Sequence, residues 1–152
     1  MEENIIAKDD EIDASDYLYL DELVENRLKS FQYLNKGNEF LIAKKYPEAI
    51  QFYSKSIQLN PSYSEAYKNK GAALAYSKKF REAIQFYDKA IELKPTDSDV
   101  YKNKGAALAY LKKYNEAIQC YDKAIQLNPI DSEAYINKGA NYVKLTMNTL
   151  KS

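Results

Sequence analysis

The sequence predicts an all-α solenoid of stacked helix-turn-helix units, three complete and a fourth half-built. Three observations carry that expectation. Gly37, Gly71, Gly105 and Gly139 recur every 34 residues, each two places after an asparagine, and a fixed period of this kind marks a repeat architecture. Segments 64–97 and 98–131 agree at 25 of 34 positions. Pro61, Pro95 and Pro129 keep the same period and close each unit, because proline does not continue a helix.

Taken in chain order, residues 1–16 are acidic and read as a disordered tail. From Tyr17 onward Leu20, Leu23, Val24, Arg27 and Leu28 are compatible with a helix, and no glycine or proline intervenes before Gly37. Residues 17–29 therefore form a helix that either caps the array or runs into the first unit. Residues 30–63, 64–97 and 98–131 are the three complete units, and 132–152 supply the first helix of a fourth and a tail. In each unit the first helix carries tyrosine, glycine and leucine at helical spacing, as in Tyr67, Gly71 and Leu74. The second carries an apolar stripe, as in Ala83, Ile84, Tyr87, Ala90 and Ile91. The turn between them is polar, for example Ser77-Lys78-Lys79. Pro47 suits a helix start, and Glu48, Glu82 and Glu116 meet the positive end of each second helix. Ser64, Ser98 and Ser132 are the expected N-caps.

A glycine inside a helix costs about 1 kcal/mol relative to alanine. Four at one phase need a compensating gain, and close approach of the paired helix supplies it. Ala49, Ala83 and Ala117 are the matching small positions in the second helix.

The pattern resembles the tetratricopeptide repeat. With Ser30, Ser64, Ser98 and Ser132 as position one, the family's aromatic at four is Tyr33, Tyr67, Tyr101 and Tyr135, and its glycine at eight is the periodic glycine. Its alanine at twenty is Ala49, Ala83 and Ala117, its aromatic at twenty-four is Tyr53, Tyr87 and Tyr121, and its closing proline is Pro61, Pro95 and Pro129. Two departures stand out: position seven, usually leucine, is Lys36, Lys70, Lys104 and Lys138, and Ser56 replaces the usual alanine at twenty-seven. The resemblance covers residues 30–145 and implies a right-handed α-solenoid with a concave surface built from the first helices.

By the same resemblance the groove positions include Asn35, Asn69, Asn103 and Asn137 at position six, a ladder whose amides donate to and accept from the main chain of an extended peptide. Asn38 at position nine, Lys68 and Lys102 at five, and Tyr76 and Tyr110 at thirteen complete the expected groove. Chaperone-binding members hold an acidic C-terminus with a carboxylate clamp. Across units two to four Lys68 and Asn103 fit that clamp, but Ala72, Glu133 and Asn137 do not. Across units one to three Asn38 and Asn69 fit, while Leu34, Asp99 and Asn103 do not. The clamp is incomplete in both frames.

Function is therefore expected to lie in binding. The chain has no histidine, which removes serine–histidine and cysteine–histidine arrangements, and the sequence carries no phosphate loop or metal-ligand cluster. No catalytic residue, metal or cofactor is expected. Cys120, at the phase of Phe52 and Phe86, reads as a small buried residue. One cysteine and no secretory leader point to a reducing, cytoplasmic or nuclear setting, and no apolar run is long enough to span a bilayer. Charge is split: residues 1–29 hold ten acids and three bases, a net of −7, against +7 over 30–152. The acidic head is thus a candidate occupant of Lys68 and Lys102. The basic lysines are spread around the helices rather than gathered, which argues against nucleic acid. The expected function is a scaffold or adaptor holding a peptide segment of a protein partner. The alternatives are co-chaperone-like recognition of an acidic C-terminal peptide, the scaffold arm of a larger enzyme, or a structural piece that self-associates weakly through Tyr135, Gly139 and Tyr142 of the half unit.

Overall fold

The computed structural model describes residues 13–150. Seven helices follow one another: α1 (Ala14–Ile42), α2 (Tyr46–Leu59), α3 (Ser64–Tyr76), α4 (Phe80–Leu93), α5 (Ser98–Tyr110), α6 (Tyr114–Leu127) and α7 (Ser132–Thr149). There is no strand among the described residues. Each helix packs on the next, and the odd-numbered helices also touch one another in sequence, so contacts join near neighbours only. This is the nearest-neighbour stacking of a repeat array.

The periodic glycines are where the paired helices meet. Tyr53, Tyr87 and Tyr121 are almost fully buried. A Cβ placed on Gly37, Gly71 or Gly105 would sit 2.5, 2.7 or 2.8 Å from the Cε1 atom of the facing tyrosine ring. The ring thus occupies the space that any side chain would need. Burying so large a side chain stabilises the unit by about 1.5–3 kcal/mol, which more than offsets the helix cost of glycine. Gly139 faces nothing within 4 Å, because no second helix follows α7 among the described residues.

Every turn inside a unit is the same. Lys44, Lys78 and Lys112 take φ of 58°, 62° and 61°, the left-handed conformation that ends many helices. The amide of the next lysine then reaches back to the helix, as from Lys79 to the Leu74 carbonyl at 2.9 Å.

Two boundaries differ from the sequence expectation, and one that it left open is decided. The first helix begins at Ala14, so residues 14–16 belong to it and not to an acidic tail; residues 1–12 of that tail lie outside the described residues. Of the two courses open to segment 17–29, it takes the second and runs into the first unit, since α1 is one helix of 29 residues. Its continuity places Ser30 in mid-helix, buried against α2. There Ser30 Oγ donates to the Ser56 carbonyl at 2.9 Å, and Ser56 Oγ donates to the Ser30 carbonyl at 2.8 Å. That exchange explains why serine replaces alanine at position 56. Finally, the caps of α5 and α7 are Asp97 and Asp131, whose carboxylates accept from the amides of Asp99 and Ala134 at 3.2 Å each. Ser98 and Ser132 are the first helical residues, and Ser64 likewise opens α3 behind Tyr63.

Lysine at position seven also finds its reason. Lys104 pairs with Asp88 at 2.6 Å and Lys138 with Asp122 at 2.5 Å, each reaching the second helix of the preceding unit. The equivalent residue before Lys70 is Ser54, which offers no charge. Lys70 instead lies over the Phe86 ring at 4.1 Å, and burial lowers its pKa.

Candidate functional site

Of the nine residues that the family resemblance places in one groove, seven fall into three groups, and Asn35 and Asn137 stand outside them. The first lines a cavity of 530 Å³ between α3 and α5, built from Ala72, Ala75, Tyr76, Lys78, Phe80, Tyr87, Asn103, Ala106, Ala107 and Tyr110. Alanines at Ala72, Ala75 and Ala106 form a smooth floor because α3 and α5 carry the same GAALAY run. Tyr76 and Tyr110 stand exposed above it. Each is braced from behind: Tyr76 stacks on Tyr46 with ring centroids 5.6 Å apart, and Tyr110 on Phe80 at 4.5 Å and 5°. Stacked rings keep rigid, low-entropy contact surface facing outward. Asn103 is half-buried in the same cavity, with no hydrogen bond to its side chain among the described residues.

A second group is already engaged. Asn38 Oδ1 accepts from Tyr53 Oη at 2.8 Å and from Asn69 Nδ2 at 3.0 Å. Asn38 and Asn69 thus form a chain that ties the core of the first unit to α3. Asn35 is exposed and Asn137 half-buried, so the four asparagines occupy unequal surroundings and only Asn103 adjoins the cavity.

The third group is the pair of lysines. Lys68 Nζ lies 2.8 Å from Glu65 and 3.1 Å from Asp97. Lys102 Nζ lies 2.9 Å from Asp131, 3.0 Å from Glu133 and 3.6 Å from Asp99. Both lysine side chains are only 17% exposed. For Lys102, burial pulls its pKa down, but the hydrogen bonds it donates to Asp131 and Glu133 outweigh it and the net shift is upward. The same contact from Lys102 holds the Asp131 carboxyl below its usual value, against a smaller opposing effect of burial. Asp97 and Asp131 also cap the following helices, so each lysine clasps one unit to the next. In the first unit Leu34 and Tyr63 take these two phases and sit in one apolar cluster. The acids that occupy Lys68 and Lys102 are therefore the repeats' own; the acidic segment 1–12 lies outside the described residues.

Cys120 is half-buried beside Leu108, Ala117 and Tyr121, and burial pushes its thiol pKa up. Phe80 and Tyr46 were missed as groove components. A signal was present, since aromatics recur at Tyr46, Phe80 and Tyr114 with the 34-residue period. In the third instance Lys144 replaces tyrosine and lies 5.9 Å from the Tyr114 ring. No described helix is long and apolar enough to cross a membrane.

The family model described as "Tetratricopeptide repeat" matches residues 30–63, 64–97 and 98–131. No curated protein matches the chain. Among solved structures, the first tetratricopeptide domain of Spaghetti (RPAP3), bound to the HSP90 peptide SRMEEVD, is similar at a TM-score of 0.78 and 28% identity, over 79% of this chain and 95% of that one. The first such domain of human RPAP3 gives 0.78 and 27%, over 82% and 98%. The Arabidopsis OM64 domain gives 0.75 and 28%, over 76% and 96%.

Proposed function

The chain belongs to the tetratricopeptide repeat family, and from that premise we propose that it acts as a protein-interaction adaptor, holding a peptide segment of a partner between α3 and α5. The observation that carries this reading is the alanine-floored cavity between two braced aromatic pairs, with one half-buried amide beside it. Its chemistry suits a large apolar side chain of the peptide on the Ala72–Ala106 floor, flanked by Tyr76 and Tyr110. Asn103 would pair with the adjoining peptide main chain, donating and accepting at once. Because Asn69 is spoken for by Asn38, Asn103 is the groove asparagine on which binding should depend. A groove of this length suits micromolar affinity, about −8 kcal/mol.

The test is fluorescence anisotropy with labelled ten-residue peptides carrying a central leucine or alanine. The leucine peptide should bind more tightly, and the Asn103→Ala/Tyr110→Ala variant should weaken it about tenfold or more, equivalent to roughly 1.4 kcal/mol. Equal affinities for the two peptides and an unaffected double variant would remove the cavity from consideration.

A second reading is recognition of an acidic C-terminal peptide. It is favoured by the likeness to a domain bound to an HSP90 peptide. It requires Lys68 and Lys102 to exchange Asp97 and Asp131 for the ligand, giving up part-buried ion pairs whose aspartates also cap the following helices. Amidating the terminus of an acidic peptide separates the two readings. A large loss of affinity would favour the carboxylate, and no change the apolar cavity.

A further inference from the structure

Residues Ala14–Lys29 extend α1 beyond the stack by about 24 Å, and no side chain among them is buried. Large apolar side chains nevertheless face solvent along this overhang. Tyr17, Leu20, Val24, Leu28 and Phe31 are 57%, 46%, 65%, 57% and 50% exposed. At 3.6 residues per turn these five fall within about 80° of arc and form one stripe. A lone helix of this length gains little from its own hydrogen bonds in water, and its stripe is apolar surface that no described residue covers.

The stripe reads the same from either end. Taking Val24 as centre, leucines stand four residues away on both sides (Leu20, Leu28) and aromatics seven residues away (Tyr17, Phe31). Two copies laid antiparallel about Val24 would therefore match leucine to leucine and tyrosine to phenylalanine. Charge selects the same direction. The half before Val24 carries Asp16, Asp21 and Glu22 and no base, while the half after it carries Arg27 and Lys29 with one acid, Glu25. Antiparallel pairing sets the acidic half of each helix against the basic half of the other; parallel pairing would stack like on like. The arrangement is isologous and closes on itself.

We propose that the α1 overhang is a dimerisation helix whose occupant is the same helix of a second copy, antiparallel and centred on Val24. A second exposed apolar face surrounds Tyr135, Gly139 and Tyr142 of α7. It is the competing interface.

Sedimentation of the full chain across a concentration series should show a reversible monomer–dimer equilibrium. Val24→Glu brings two carboxylates together at the twofold and should weaken the dimer at least about a hundredfold, while the circular dichroism of the exposed-site variant stays helical. Tyr142→Lys should leave the dimer intact. Orientation is read by cysteine cross-linking in a Cys120→Ser background. A Tyr17→Cys chain mixed with a Phe31→Cys chain should cross-link to it, and a Tyr17→Cys chain alone should not. A monomer at every concentration, a dimer lost in Tyr142→Lys but kept in Val24→Glu, or Tyr17 cross-linking to itself would each overturn the proposal.

Discussion

Gly71 and Gly139 stand at the same phase of their units and meet opposite surroundings. At Gly71 the Tyr87 ring fills the place of a side chain, whereas Gly139 is open. Gly71→Ala should therefore destabilise the array by about 1–3 kcal/mol through overpacking. Gly139→Ala should stabilise α7 by roughly 0.5–1 kcal/mol through helix propensity alone. Urea unfolding of both variants checks the pair, and equal costs at the two sites would contradict the packing account. The glycine period was legible in the sequence, and so was the need for a close neighbour. Which ring filled the space was not, because the facing tyrosine lies 16 residues on in the other helix and no local pattern names it.

Helices and turns were the most readable level, since each is written three times over at one period. Expectation failed at the starts of α3, α5 and α7, where Ser64, Ser98 and Ser132 open the helices and do not cap them, and it was undecided in the first unit. Nothing in the composition of residues 14–29 told a cap from a continuation, and it took the fold to show Ser30 and Ser56 exchanging hydrogen bonds within it. The lysines of position seven were visible as departures but not explicable, because their partners Asp88 and Asp122 belong to the preceding unit. Their pattern predicts that Ser54→Asp supplies Lys70 with the partner it lacks. The gain expected for such a half-buried pair is about 0.2–1 kcal/mol, seen as a higher thermal midpoint that added salt diminishes. No increase over the native chain would show that Lys70 prefers the Phe86 ring.

In the array as a whole, the clasps from Lys68 to Asp97 and from Lys102 to Asp131 join units to one another, and the second gives stability a dependence on pH. Asp131 has a folded-state pKa below its unfolded value of about 4, owing first to its hydrogen bond from Lys102. Its contribution is therefore complete above pH 4 and lost as pH falls through the depressed folded value. Thermal melts should show the Asp131→Asn variant losing less stability than the native chain between pH 5 and about 2.5; parallel losses would mean that other carboxylates govern acid unfolding. The clasps also account for what the candidate site kept hidden. Lys68 and Lys102 looked like free groove cations because Asp97 and Asp131 stand 29 residues further on, at the phase that simply ends a unit.

One consequence follows from the identical left-handed lysine corners at Lys44, Lys78 and Lys112. Each hairpin leaves its corner at the same angle, and the second and third meet the next through the same lysine–aspartate contacts. Array length is then an adjustable quantity. Excising or duplicating a 34-residue block between equivalent corners would shorten or lengthen the ribbon by one step and deliver every later helix to a neighbour it already fits.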